Sequence, residues 1–355
     1  MIWGSMSNQD DSPTRYVIYG AGSIGCAVGG LLANSGCRVL FVARPRVAAA
    51  IASGFEIKTA ESDLYVRGDA VVELDRDSIE PDDVVIITVK SQDTRAALVA
   101  LLELYGPEVG VVCLQNGVSN ERIASESFTR VYGGLLLIST VQLEPNVVTL
   151  KGNKIAIGLY PDGVDSTAER LAVDLDRAGF GGMVSPHVMS LKWAKLIANL
   201  NNATHAITGY WLEKSAADPE MRALMLAVRE EGLAILDAAG IAVEPPDSEP
   251  NPIRIREDTA KLRQPPGKQS DRGPKWPEER RTYPSMLQDL LLKRKSTEAD
   301  FLNGEIVNLG GKLGLPTPYN RALIEMMRRM GEEGIQPGAY SPSDLHSMIA
   351  GKRHG

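Results

Sequence analysis

Near its N-terminus the chain reads Tyr16-Val17-Ile18-Tyr19-Gly20-Ala21-Gly22-Ser23-Ile24-Gly25, and small and aliphatic residues continue to Ser35. Tyr16 to Tyr19 is a short apolar run, as a buried strand is. Ile24 to Ser35 reads as a helix. Between them lies a G-x-G-x-x-G turn. Gly20 allows the tight turn, Gly22 lets backbone approach a pyrophosphate, and Gly25 lets helix and strand pack closely. The helix start presents free N–H groups and a partial positive charge to phosphate. Gly20, Ala21, Gly22, Ser23, Ile24 and Gly25 are therefore candidate dinucleotide-binding residues. The alternative is a glycine-rich turn that binds nothing.

A second apolar run, Arg38 to Val42, follows at the expected distance. An NAD site places an acid about 20 residues past the glycines to hold the ribose 2′-hydroxyl. No Asp or Glu occurs from Ala21 through Phe55, and Arg44 stands near that place with Arg46 close behind. An arginine suits a 2′-phosphate through charge-assisted bonds. The expected cofactor is thus NADPH rather than NADH, with an ordinary surface arginine as the alternative.

Strand and helix signals go on alternating: Val84 to Val89, Thr94 to Leu104, Val109 to Leu114. Such alternation with β-branched strands predicts a parallel sheet covered on both faces. Residues 55 to 75 read as a two-stranded excursion. Arg130 to Val141, Val147 to Leu150 and Lys154 to Leu159 read as strands extending the sheet. From about residue 183 helix-period segments take over: Val188 to Ile207, Glu220 to Ala239, Met286 to Lys293, Glu298 to Leu313 and Asn320 to Met330. The fold class is α/β: a Rossmann-type domain over 15–182, then an all-α domain over 183–335. Residues 1–14 read as a loose leader and 336–355 as a tail with a short helix near Asp344 to Ala350. Glu244 to Pro284 holds nine prolines and charges of both signs. It lacks an aliphatic stripe and is expected to be an exposed or disordered insertion.

Composition narrows the function. At 355 residues, two domains of roughly 150 are expected. The net charge of −7 disfavours nucleic acid, which calls for a basic surface. No apolar run approaches the ~18 residues of a membrane span, and the start has no signal-peptide core. Three scattered cysteines and four histidines without H-x-x-x-H or C-x-x-C spacing disfavour a disulfide framework and a metal site. A reducing, cytoplasmic location is the plain inference.

Reducing a ketone needs a group that protonates the developing alkoxide. His187, His205, His346 and His354 lie in unpromising settings, which leaves lysine. On a continuous helix, Lys195, Asn199 and Asn202 fall within an arc of roughly 60°. This face meets either a ligand or solvent; spacing does not choose. Glu298 sits where a helix begins, and an acid there suits the macrodipole as well as it suits catalysis.

Taken together, G-A-G-S-I-G at Gly20 to Gly25, I-T-V-K ending at Lys90, Q-N-G at Gln115 to Gly117, W-A-K-L-I-A-N at Trp193 to Asn199, S-M-L-Q-D at Ser285 to Asp289 and T-E-A-D-F-L-N-G at Thr297 to Gly304 resemble the ketopantoate reductase (2-dehydropantoate 2-reductase) family. They follow the family's order and cover the chain from Tyr16 to about Met330. The resemblance implies a Rossmann domain, a helical domain and an active site in the cleft between them. By resemblance Lys195 supplies the proton, and Glu298 holds the substrate hydroxyl and orients the lysine. Asn199 and Ser285 match substrate-binding positions. Lys90 and Asn116 match residues at the cofactor and substrate end of the first domain, and Glu298 counts among those near the cofactor. The implied reaction is NADPH-dependent reduction of a small 2-keto acid, in pantothenate and coenzyme A biosynthesis, by a homodimer.

Three departures bear on the substrate. Ala203 stands where the family usually has a second asparagine, and the adjacent Asn202 is a candidate to replace it. The run from Ser285 to Glu298 is one residue longer than expected. The insertion lies just before Ser285. A reductase of another 2-keto acid is therefore an alternative. A non-catalytic NADP(H)-binding sensor or partner protein is a further one, disfavoured by the presence of Lys195, Asn199, Ser285 and Glu298 together.

Overall fold

The computed structural model describes residues 14–265, 284–291 and 298–351. The leader through residue 13, the insertion's 266–283, residues 292–297 with Thr297 and the end of the expected helix at Lys293, and residues 352–355 lie outside them. The chain divides into two compact units: 1–115 with 120–188, and 116–119 with 189–355.

In the first unit, β1 (Arg15–Tyr19), α1 (Ser23–Asn34), β2 (Arg38–Val42), α2 (Pro45–Ser53), β3 (Phe55–Lys58), β4 (Asp63–Val66), β5 (Asp69–Val71), β6 (Val84–Ile87), α3 (Thr94–Tyr105) and β7 (Gly110–Cys113) come first. Then come α4 (Ser119–Ser125), β8 (Val131–Glu144), β9 (Val147–Leu159), α5 (Ser166–Arg177) and β10 (Gly181–Val184). The strands form one sheet in the order β4-β3-β9-β8-β7-β6-β1-β2-β5, with β10 on β9. From β5 to β8 neighbouring strands are parallel; β8–β9 and β3–β4 are antiparallel. The sheet is thus mixed where sequence suggested parallel. Only Pro145 and Asn146 separate β8 from β9, and so short a link joins antiparallel strands only.

Successive strand residues serve opposite faces. Tyr16, Ile18, Phe41 and Val112 pack on one side with Leu32 of α1 and Leu171 of α5. Val17, Leu40, Val85 and Ile87 pack on the other with Leu98 and Leu101 of α3. Two covered faces explain why these strands are nearly all apolar.

The second unit holds α6 (Val188–Asn199), α7 (Asn202–Thr208), α8 (Leu212–Ala217), α9 (Pro219–Ala238), α10 (Ile255–Lys261), α11 (Ser285–Leu291), α12 (Ala299–Leu313), α13 (Pro318–Glu333) and α14 (Pro342–Gly351). α9 starts as its residues dictate: the Asp218 carboxylate accepts from the Met221 N–H, and Pro219 takes the first turn. Ile197, Leu224, Val228, Leu302, Ile306 and Leu323 share one core.

Two expectations change here. Val188 to Ile207 is two helices, broken at Leu200 and Asn201. At the break Asn303 donates to the Leu200 carbonyl at 3.0 Å, and the Asn201 side chain reaches out to the Met225 carbonyl of α9 at 3.3 Å. The described part of the insertion, 244–265, is not simply exposed. Ile255 and Thr259 of α10 are buried, and the Arg222 guanidinium of α9 holds the carbonyls of Lys261 and Gln264. Among the described residues, no helix is long and apolar enough to cross a membrane.

Candidate active site

The glycine turn is fixed by its neighbours. The N–H groups of Gly20 and Ala21 both donate to the Val42 carbonyl at the end of β2, at 3.0 and 2.9 Å. Gly20 has φ +95°, and a Cβ there would lie 2.3 Å from Val89 Cγ1. At Gly25 a Cβ would lie 2.6 Å from Thr88 Oγ1 and 2.9 Å from Ile18 Cγ2, so helix and strand touch there. Gly22 is different: only the Gly20 carbonyl, at 3.9 Å, is near its Cβ direction. A side chain at Gly22 would fill open space beside the start of α1. That helix has no side-chain cap and no acid in its first turn. The residues thus fit a dinucleotide pyrophosphate: unpaired helix-start N–H groups and a bare backbone that a ligand can approach.

Arg44 is exposed at the start of α2, two residues past the carbonyl that holds the turn. It makes no ion pair among the described residues, so its guanidinium is available to a phosphate. Lys90 follows Val89, whose backbone and side chain abut Gly20. Thr88 ties the same segment to the turn, donating from Oγ1 to the Gly20 carbonyl at 2.9 Å.

Sequence reasoning assigned no role to Gln115. Buried at the end of β7, it donates from Nε2 to the Val89 carbonyl and to Thr94 Oγ1, both at 2.8 Å. Thr94 donates on to Asn120 Oδ1 at 2.8 Å. This buried chain ties the end of β7 to the segment that follows β6 and to α3 and α4. The Q-N-G motif was visible, but which of its side chains turns inward was not.

Asn116 groups with the second unit, as do Lys195, Asn199, Asn202, Ser285 and Glu298. Lys195 and Asn199 are half-buried on α6, one turn apart and hence on one face. The Asn199 amide makes no hydrogen bond among the described residues. Asn202, beyond the break, donates from Nδ2 to Ser285 Oγ at 3.4 Å, a long bond between two of the expected substrate residues. The single-helix arc is therefore not what brings Asn202 to the site; the break and α11 do. Ala203 is fully buried in the helical core.

Glu298 is buried immediately before α12, yet its side chain does not cap that helix. Its charge acts on Lys195. Burial, and then the like charge of Lys192 one turn earlier, push the Lys195 ammonium down to about 7, while Glu298 opposes them. A lysine near neutrality can both give and take a proton. His205 offers no such group. Burial pushes it down to about 4, and its Nδ1 lies 3.0 Å from both the Tyr210 carbonyl and Ser215 Oγ. Among the described residues no His, Cys, Asp and Glu cluster could hold a metal.

Two family models match the chain: ketopantoate reductase PanE/ApbA over residues 16–161, and ketopantoate reductase PanE/ApbA C terminal over 187–331. The 2-dehydropantoate 2-reductase of Pyrococcus horikoshii is 30% identical over 318 residues, 88% of this chain and 96% of its own length. A PanE/ApbA family ketopantoate reductase from Ralstonia eutropha JMP134 superposes with a TM-score of 0.75 at 29% identity, over 90% of this chain and 99% of that one. D-mandelate dehydrogenase with NADH and anilino(oxo)acetate has the same fold, with a TM-score of 0.74 at 22% identity over 90% and 99% of the two chains.

Proposed function

Because this chain belongs to the ketopantoate reductase family, we propose that it reduces 2-dehydropantoate to pantoate with NADPH in preference to NADH. Membership makes it an oxidoreductase acting on a CH–OH group, and NADPH is the cofactor of the family. The observation that carries the reading is the Lys195 ammonium. It is pushed to about 7, opposed by the buried Glu298, and shares its helix face with the Asn199 amide, which makes no hydrogen bond among the described residues.

NADPH, when bound, supplies the hydride. The Gly20 to Gly25 turn and the start of α1 would hold its pyrophosphate, and Arg44 its 2′-phosphate, with Lys90 beside the turn. Lys195 passes a proton from Nζ to the keto oxygen, so no alkoxide is left to stand alone. Glu298 accepts a hydrogen bond from the substrate hydroxyl and keeps Lys195 partly protonated. Asn116, Asn199, Asn202 and Ser285 supply amide and hydroxyl bonds that orient the acid. The reaction so proposed is a step toward pantothenate and coenzyme A, and we place it in the cytoplasm. We propose a homodimer as the working form, which sedimentation at micromolar concentration checks.

A second reading keeps the reaction and changes the acid. Ala203 in the core and α10 within the expected insertion favour it, and D-mandelate dehydrogenase with anilino(oxo)acetate has the same fold. Purified protein, NADPH or NADH, and a panel of branched, hydroxylated and aromatic 2-keto acids, followed at the nicotinamide absorbance, test both readings. Highest kcat/KM for ketopantoate with NADPH supports the first. A different best acid retires it in favour of the second. Tight NADPH binding with no turnover would instead indicate a sensor.

A further inference from the structure

A buried chain of hydrogen bonds ties together the helices that carry the proposed chemistry. It starts at Glu231 on α9. Glu231 Oε1 accepts from the Asn320 backbone N–H and from Asn320 Nδ2, both at 2.8 Å, and Oε2 accepts from the Tyr319 N–H at 2.9 Å. The carboxylate thus fixes the first turn of α13 and decides which way the Asn320 amide faces. With its NH₂ on the carboxylate, Asn320 must turn its carbonyl oxygen toward α12. There Asn303 Nδ2 donates to it at 2.9 Å, and also to the Leu200 carbonyl at 3.0 Å. Asn303 and Asn320 are fully buried.

The far end of the chain is the significant one. Leu200 lies at the break between α6 and α7, where a carbonyl stands outside the helical ladder and needs another donor. α6 carries Lys195 and Asn199, and α7 carries Asn202. Asn303 lies on α12, the helix that Glu298 immediately precedes. One side chain therefore links the break to the helix of the opposing carboxylate. Neither leucine, aspartate nor serine could donate twice at that point.

We infer that Asn303, oriented through Asn320 by Glu231, is the positioning residue that sets Lys195 and Asn199 against Glu298. The inference rests on the reading above for what those groups do, not for where they stand.

Asn303→Leu keeps the size and removes both donors. The full-length variant should bind NADPH as the wild type does, while kcat for the keto acid falls on the order of 10- to 100-fold. The Lys195 titration, followed by pH-dependent acetylation with acetic anhydride and mass spectrometry, should move upward. Burial is the largest influence holding it down, and a loosened helix pair admits water. Loss of stability alone would leave the titration of the folded protein in place. Glu231→Gln, at the remote end, should shift both readouts the same way by less, and decides the matter should Asn303→Leu not fold. A wild-type kcat, or a titration unmoved in a folded variant, overturns the inference. Labelling needs no substrate. If the wild type reduces no keto acid, the functional reading falls, and the titration still decides whether Asn303 positions Lys195.

Discussion

Raising the pH through neutrality should remove the proton that the proposed reaction consumes. An unhindered lysine titrates near 10.4 and would leave the rate flat to about pH 9. Lys195 is pushed to about 7 by burial and by Lys192. Reduction requires the ammonium, so kcat/KM should be level below about pH 6 and bend near neutrality. It should then fall about tenfold per unit, leaving roughly one ammonium in eleven at about pH 8. The causes of the shift give two opposed variants. Lys192→Met removes a like charge and should move the bend to higher pH. Glu298→Gln removes the opposing charge and should move it to lower pH, besides slowing the reaction. The assay is initial-rate loss of nicotinamide absorbance at saturating NADPH and low keto acid, from about pH 5.5 to 9.5. A profile flat to about pH 9, or variants that shift the bend in one common direction, would refute the reasoning.

The other predictions concern stability and the cofactor. Because the folded pKa of Lys195 is lowered, the unfolded chain binds more protons between about 7 and 10.5, and stability from this group rises with pH across that window. Lys195→Met should therefore raise Tm by several degrees at about pH 6 and little above about pH 10; an equal gain at both, by scanning calorimetry, contradicts this. Gly22→Val should fold normally and bind NADPH poorly in titration calorimetry, whereas Gly25→Ala, with Cβ 2.6 Å from Thr88 Oγ1, should lose about 1–3 kcal/mol in denaturant melts. Arg44→Ala should weaken NADPH roughly 10- to 100-fold and NADH hardly at all, as measured by fluorescence titration.

The parts of the fold that are local in the chain were legible. Strand, glycine turn and helix from Tyr16 to Ser35 follow from the residue types: Gly20 takes a positive φ, Gly22 leaves the helix start bare, and Gly25 lets α1 meet Ile18 of its own βα unit. The acid-free stretch from Ala21 through Phe55 was equally plain. The sequence reads Val188 to Ile207 as a single helix because its break is held by distant contacts, Asn303 of α12 on the Leu200 carbonyl and Asn201 on the Met225 carbonyl of α9, which no local pattern displays. α10 was missed because its apolar contribution is mainly Ile255, too little for a stripe. The sequence of β9 reads as two strands because the polar Lys151-Gly152-Asn153 stands exposed in its middle. In the site, Lys195 and Asn199 were legible as one helix face, but Glu298 could be joined to them only by resemblance. Helical spacing cannot show that its carboxylate leaves α12 uncapped and acts on Lys195.

In the proposed reaction the Lys195 ammonium delivers the proton to the keto oxygen. The most direct measurement is single-turnover reduction of ketopantoate by Lys195→Ala, with NADPH affinity determined on the same preparation. NADPH binding should match the wild type while the rate falls by about 100-fold or more. Retained binding together with a wild-type rate would contradict it.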